Sequence, residues 1–256
     1  AAGLAQDNEE GAVKSEDEVV ISRDPQRASW LKLARRSRTN MKKSELLEKM
    51  GLPDAFEGFV PVPGTKLWGW NGDRQIFPAL VQQTKPKLIM EVGSWMGQSA
   101  ANMANSCVAL GLEDTTVICV DTWLGSKEHW RDPELLKHME LVDGYPSFYK
   151  RFLTNMVQAG VKDLVLPVPM PSQIGASFLK DFQLQAEMVY IDGSHDEKDV
   201  FDDLSAYWDL VSPGGVAFGD DWPWTSVSNA VKAFCAEKGV PYTVNDINWL
   251  IRKPAL

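Results

Sequence analysis

The chain has few cysteines, and they are badly placed for cross-linking. Cys107, Cys119 and Cys235 are odd in number and far apart, so they neither build a disulfide framework nor supply a zinc-type pair spacing. A reducing compartment such as the cytoplasm is expected, with organellar targeting left open. Long apolar runs are also missing. None approaches the roughly 18 residues that a spanning helix requires, and no membrane span is expected. Positive charge is scarce: 26 Lys and Arg face 35 Asp and Glu, a net charge of −9. That sign argues against general phosphate recognition and makes nucleic acid an unexpected partner. No segment repeats another.

What is present is unevenly distributed. Residues 1–20 hold six acids, Asp7, Glu9, Glu10, Glu16, Asp17 and Glu18, against Lys14 alone. They read as a solvated, disordered acidic arm, taken here to extend over 1–27. From Arg23 to Lys49 nine bases face three acids. An RNA-facing arm, the remnant of a targeting segment and a solvated helix face all remain open for that stretch. Residues 28–74 read as a helical and irregular lid segment, because "GLPDAFEGFVPVPGTKLWGWNGDRQIF" is dense in Gly and Pro.

From about residue 75 short β-branched runs alternate with longer helical patterns: "LIMEV", "TVICV", "LVLPV", "MVYID", "VAFGD", then "YTV" and "WLI". This alternation predicts βαβ units. The expected fold is α/β, a Rossmann-like seven-stranded, mostly parallel sheet flanked by helices, spanning 75–256 and interrupted by an insertion at about 124–150. The spacing of Val200, Phe201, Leu204, Tyr207, Trp208 and Val211 predicts a helix over about 194–211, its acids facing away and "SPGG" stopping it.

In such sheets ligands bind beyond the carboxyl ends of the strands. Four of those ends carry acids: Glu91, Asp121, Asp192 and the pair Asp220 and Asp221. Each alone would pass for a turn former or helix cap. All four together point to chemistry. The turn in "KLIMEVGSWMGQSAANMA" has Trp95 and Gln98 where a dinucleotide fingerprint needs its second and third glycines, and a Trp there keeps the backbone from a pyrophosphate. The retained Gly93 and Gly97, with helix-start amides near Ser99, suit a carboxylate instead. A ligand with a carboxylate, a ribose and an adenine but no phosphate fits, with Asp121 at the ribose hydroxyls.

"MEVGSWMGQSAANMA", "CVDTW" and "MPSQIGASFL" resemble, in order, three motifs of the class I S-adenosylmethionine-dependent methyltransferases, in particular the catechol O-methyltransferase-like and sugar O-methyltransferase branches. The resemblance covers about residues 75–225. It implies that S-adenosylmethionine is held by Glu91, Gly93, Gly97, Ser99 and Asp121, with Ser172 and Gln173 at the adenine. "MVYIDGSH" and "GGVAFGDD" look like the strand ends that bind magnesium in the catechol enzymes, which implies Asp192, Asp220 and Asp221 as Mg²⁺ ligands. Asp221 departs from the Asn of the catechol branch and matches an all-acidic version in the sugar-methylating branch. Converging carboxylates repel unless a cation lies between them, and oxygen ligation suits a hard ion. His195 stands where the catechol branch has a Lys, which makes it the candidate general base beside Asp192; the alternative for a His at a helix start is a surface or capping role.

The expected activity is therefore Mg²⁺-assisted O-methylation of a hydroxyl on a small molecule, a sugar or glycoside or a catechol-like ring. Two alternatives stay open: a non-catalytic binding module in a larger assembly, and a methyltransferase with another acceptor such as RNA. The insertion "LGSKEHWRDPELLKHMELVDGYPSFYKRF" carries no readable motif and is expected to form a lid. Trp222, Pro223 and Trp224 are expected to wall the acceptor pocket, with Trp68, Trp70 and Trp130 closing it. Whether the chain forms a homo-oligomer is left open.

Overall fold

The computed structural model describes residues 42–64 and 66–255. The acidic arm, and the basic stretch as far as residue 41, lie outside the described residues.

Except in the exposed edge run Tyr242–Asn245, the apolar runs form strands because their β-branched and large side chains are covered on both faces. The strands are β1 (Leu88–Val92), β2 (Thr116–Asp121), β3 (Val165–Pro169), β4 (Ala186–Ile191), β5 (Val211–Gly219), β6 (Tyr242–Asn245) and β7 (Asn248–Arg252). They make one sheet in the order β3-β2-β1-β4-β5-β7-β6. The first five are parallel, and β7 runs antiparallel to both β5 and β6. Every residue of β1 is buried, as a central parallel strand requires. Its side chains split by period two. Leu88, Met90 and Val92 enter one core with Leu204, Tyr207 and Phe234, while Ile89 enters the other with Phe77, Phe152 and Phe218. Registers that pair Val92 with both Val120 and Ile191, and Ile191 with Gly219, bring the carboxyl ends of β1, β2, β4 and β5 into line.

Helices cover the two faces: α1 (Lys43–Met50), α2 (Ile76–Thr84), α3 (Gln98–Ala109), α4 (Lys127–Arg131), α5 (Pro133–Leu136), α6 (Tyr149–Gln158), α7 (Ser172–Asp181), α8 (Glu197–Trp208) and α9 (Thr225–Lys238). The basic residues that fall in α1 and just before it are tied down locally. Lys43 is buried, its Nζ donating to Asp54 Oδ1 at 2.7 Å and to the Lys162 carbonyl at 2.9 Å. Lys42 pairs with Asp114 at 2.8 Å, and Lys49 donates to the Phe182 carbonyl at 2.7 Å.

Two sequence expectations change here. The helix expected over 194–211 is α8, and "SPGG" does not stop it; Ser212–Gly215 lies inside β5, where the pairing with β4 shifts register after Ala186 and Gly214 takes φ 79°. A bulge absorbs the extra residues, and the Gly supplies the left-handed conformation. Nor do all the acids of α8 face away. Asp203 is buried at 4% exposure beside Leu204, because the side chain of Gln173 reaches over to bond it. No helix among the described residues is long and apolar enough to cross a membrane.

Candidate active site

Above the aligned strand ends lies a cavity of about 1170 Å³, larger than the ~300–1,000 Å³ that holds one drug-sized ligand. Gly93, Gly97, Ser99, Asp121, Ser172, Gln173, Asp192, His195, Asp220 and Asp221, all singled out in the sequence, line it. Glu91 does not. It is wholly buried beneath the glycine turn, where Ser99 Oγ donates to its Oε1 and Cys119 Sγ lies 3.5 Å from its Oε2. Burial pushes its carboxyl up to about 7, with the Ser99 bond opposing. It supports the turn from beneath, apart from the residues that line the cavity.

The turn between β1 and α3 is fixed by close approach. Gly93 has φ 83°, and a Cβ there would come within 2.1 Å of the Asp192 carbonyl oxygen; Gly97 caps α3 at φ 87°, and its Cβ would strike Met156 and Phe152. Only glycine fits either position. Asp121 holds this turn from β2. Its Oδ2 accepts from the Ser94 and Trp95 amides at 2.9 and 2.8 Å, and its Oδ1 from the Trp123 amide at 2.7 Å. Trp123 Nε1 closes the loop by donating to the Trp95 carbonyl at 2.9 Å. Burial raises the Asp121 carboxyl, while these amides pull it down. Asp121 thus clamps two loops together as well as facing the cavity.

On the β3 side Gln173 Nε2 donates to Asp203 Oδ1 at 2.8 Å, and Tyr207 Oη donates to the Ser172 carbonyl at 2.9 Å. Burial lifts Asp203 to about 6. Its position on a helix face that reads as solvated concealed it from the sequence; its signal was an acid at the spacing of the buried Val200, Leu204 and Tyr207.

The ends of β4 and β5 gather the acids. His195 Nε2 lies 2.8 Å from Asp221 Oδ2, and ligand atoms of Asp192, His195 and Asp221 all fall within 4.8 Å of one another. Asp220 stands beside this group but is turned by other bonds. Its Oδ1 accepts from the Asp221 amide at 2.8 Å and from Asn248 Nδ2 at 3.4 Å, and Asn71 bonds its side chain. Asp221 takes φ 59°, a left-handed conformation that favours Asn and Asp among side-chain-bearing residues. Burial, then the charges of Asp220 and Asp221, raise Asp192 to about 8, while Tyr190 Oη donates to its Oδ2 at 2.9 Å. Burial likewise lifts Asp220 to about 6. The Asp221 hydrogen bond raises His195 above its ordinary 6.5. A divalent cation would offset the charges gathered here, and two oxygens and an imidazole nitrogen are a donor set that accepts such an ion.

The irregular segments close the other side. Trp70 and Trp224 line the cavity as expected, and the insertion contributes residues from Gly125 to Leu135. Trp222 packs instead against Tyr242, Trp68 stacks on His138, and Trp130 donates to the Leu124 carbonyl while 46% exposed. None of these three lines the cavity. Asn71 and His129 join the wall without any sequence motif to announce them. Gly72 lets its segment pack on the start of α3: a Cβ there would sit 2.7 Å from the Ser99 amide nitrogen, and Asn102 Nδ2 donates to the Gly72 carbonyl at 3.0 Å.

Residues 90–222 match the family model described as "Methyltransferase domain". The fold is similar to that of the O-methyltransferase NovP, at 16% identity over 70% of this chain and 78% of that one, with a TM-score of 0.52. It is similar also to CalS11, a TDP-rhamnose 3'-O-methyltransferase of calicheamicin biosynthesis, at 15% identity over 69% and 77%, TM-score 0.51. A candidate caffeoyl-CoA O-methyltransferase from Staphylococcus aureus aligns at 13% identity over 90% and 100%, TM-score 0.51. No curated protein sequence matches the chain. Since the family match runs from β1 to just past β5 and so takes in every strand end described above, the chain belongs to the methyltransferase-domain family, the class I S-adenosylmethionine-dependent methyltransferases.

Proposed function

We propose that the protein transfers a methyl group from S-adenosylmethionine to a hydroxyl of a small-molecule acceptor, a sugar or glycoside or a catechol-like ring, with Mg²⁺ assistance. The observation that carries this reading is the meeting, in one cavity of about 1170 Å³, of the glycine turn with an acid–imidazole cluster. Gly93, Gly97, Ser99 and Asp121 would hold the donor's amino-acid and ribose parts, and Ser172 and Gln173 its adenine. When bound, that donor supplies an electrophilic methyl group on a sulfonium. Asp192 and Asp221 would hold the cation, with Asp220, expected as a third ligand, beside them and turned to the Asp221 amide and Asn248; when bound, the cation favours ionisation of a hydroxyl in contact with it.

The protein's own part is to place and deprotonate the acceptor. With His195 Nε2 on Asp221, the other ring nitrogen, Nδ1, is buried and without a partner. His195, which lines the cavity, takes the acceptor's proton as the oxygen–methyl bond forms and the sulfur–methyl bond breaks. Asp221 fixes the ring and stabilises the imidazolium, as a carboxylate does for histidine bases generally. Calorimetry with S-adenosylmethionine, with and without Mg²⁺, tests the reading. One equivalent of donor should bind, and a separate Mg²⁺ heat should disappear in Asp192→Asn. Absence of donor binding would overturn the reading.

A further inference from the structure

Asp203 is an acid that an acid-rich helix would ordinarily give to water, and the structure gives it to α7 instead. It is buried, its Oδ1 accepts from Gln173 Nε2 at 2.8 Å, and Ser172 also bonds its side chain. The first turn of α7 is fixed there by further contacts. Tyr207 Oη, one turn along α8, donates to the Ser172 carbonyl at 2.9 Å. Gly175 lets α7 approach closely, since a Cβ there would come within 2.5 Å of Val120 Cγ1 on β2 and 3.2 Å of Tyr207 Oη. Burial lifts Asp203 to about 6, with the Ser172 and Gln173 bonds opposing, so the group is ionised at neutral pH.

An ionised carboxylate can only accept. It therefore binds the NH₂ end of the Gln173 amide and leaves the carbonyl end turned away from it. Gln173 is exposed and lines the cavity, and among the described residues its side chain makes no other hydrogen bond. The wall at this point thus offers an acceptor in want of a donor. Its place relative to Asp121 follows from the sheet: the register pairs Asp121 with Pro169, and Ser172 opens α7 three residues later. A base carried on a ribose at Asp121 reaches this turn, where Met170 lines the cavity as well. At its 6-position adenine carries an amine, which donates, whereas hypoxanthine carries a carbonyl, which accepts.

Resting on the methyl-transfer reading above, we propose that Asp203 is a positioning residue that makes the cavity selective for a 6-amino purine. By holding the NH₂ end of Gln173 it presents Oε1 to the exocyclic amine of the donor's adenine. A 6-oxo purine would meet that atom oxygen to oxygen. Asp203 acts only through Gln173.

Calorimetry on the full chain tests this, with S-adenosylhomocysteine and S-inosylhomocysteine as probes and neither acceptor nor metal present. The wild type should bind the adenosyl form about tenfold or more tightly, because in the inosyl form one hydrogen bond is lost and two acceptors are opposed. Asp203→Asn, which can donate as well as accept, frees the amide to turn and should reduce the ratio to about threefold or less; Gln173→Leu should reduce it to the same level. A second measurement needs no variant. As pH falls from about 7.5 to 5, protonated Asp203 can donate to Oε1, the amide can turn, and the wild-type ratio should narrow. The groups facing Asp203 are Asp199, Asp202 and Tyr207 on its own helix, the neutral Ser172 and Gln173 on α7, and Gly193 after β4; titration elsewhere in the cavity acts on both probes and cancels in the ratio. A wild-type ratio near one, with S-adenosylhomocysteine bound, would overturn the selectivity and leave methyl transfer standing. A ratio unchanged in Asp203→Asn and across the pH range, even with both probes weakened alike, would make Asp203 a structural residue and overturn its positioning role. Failure of both probes to bind the wild type would overturn the methyl-transfer reading itself.

Discussion

The two sides of the cavity are built from different materials. On the glycine-turn side the polar contacts are backbone amides: Ser94, Trp95 and Trp123 all point their N–H groups at one carboxylate, Asp121. On the insertion side they are side chains, among them His129 from α4 and Trp70 and Asn71 from the turns before α2. Backbone geometry at a strand end follows from the sheet register and leaves little latitude. Side-chain walls can be exchanged without disturbing the sheet. The first arrangement suits a ligand that does not change, and the second suits specificity.

The largest test of this division falls on the acid–imidazole group between the two sides. His195→Ala should lower the single-turnover rate by about 10² or more while leaving the affinity for S-adenosylmethionine intact. Because the Asp221 bond raises His195 above 6.5, and a base must be unprotonated to act, the wild-type rate should rise with pH through a pKa above that value. Asp221→Asn should move that limb to lower pH. A capping role for His195 would instead lower thermal stability and spare the rate.

Asp121→Ala comes next. It removes the acceptor of three amide bonds, and hydrogen bonds to a charged group contribute about 1.5–3 kcal/mol each, so donor affinity should fall tenfold or more and the melting temperature should drop with it. Binding of ring probes, measured without the donor, should change far less. Equal losses on both sides would erase the distinction between them.

Glu91→Gln sharpens the comparison, because that acid belongs to the frame. Its carboxyl titrates at 4.5 when free and at about 7 in the folded chain. The folded state therefore has an advantage that is complete below pH 4.5 and is lost as pH rises through 7. A shift of that size corresponds to a ceiling of about 3 kcal/mol, and the amide, which loses the charge-assisted bond from Ser99, should recover about half of it. Chemical denaturation should show the variant more stable than wild type at pH 8 and no more stable at pH 4. A parallel pH dependence of the two proteins would sink this account.

The smallest effect is expected at Gly72. Its replacement by Ala forces the lid segment off the Ser99 amide, so the acceptor KM should rise a few-fold with the melting temperature nearly unchanged. A pronounced loss of stability would mean that the segment is part of the core and not a cover.

Legibility followed the same division. Gly93, Asp121, Asp192 and the Asp220–Asp221 pair were readable because each falls at or just after the end of a strand whose apolar run is itself visible. Asp203 was hidden by an acid-rich helix, His129 by an insertion without periodicity, and Asn71 by a stretch of turns. The three acids expected to act as one set were also resolved more finely in three dimensions. Asp220 is drawn aside by the Asp221 amide and Asn248, and His195 closes on Asp221 in its place.

The order of apolar runs and turns by itself determined the sheet and the side of it that carries the acids, because period, burial and glycine geometry are local consequences of residue type. Only the tertiary structure decided which nitrogen of each histidine is engaged and which is left without a partner. That choice rests on Ser126 for one ring and Asp221 for the other. The first is a contact within one turn, but its ring is positioned by Trp70 and Trp95 from distant segments; the second joins two strand ends that meet only when β4 and β5 pair.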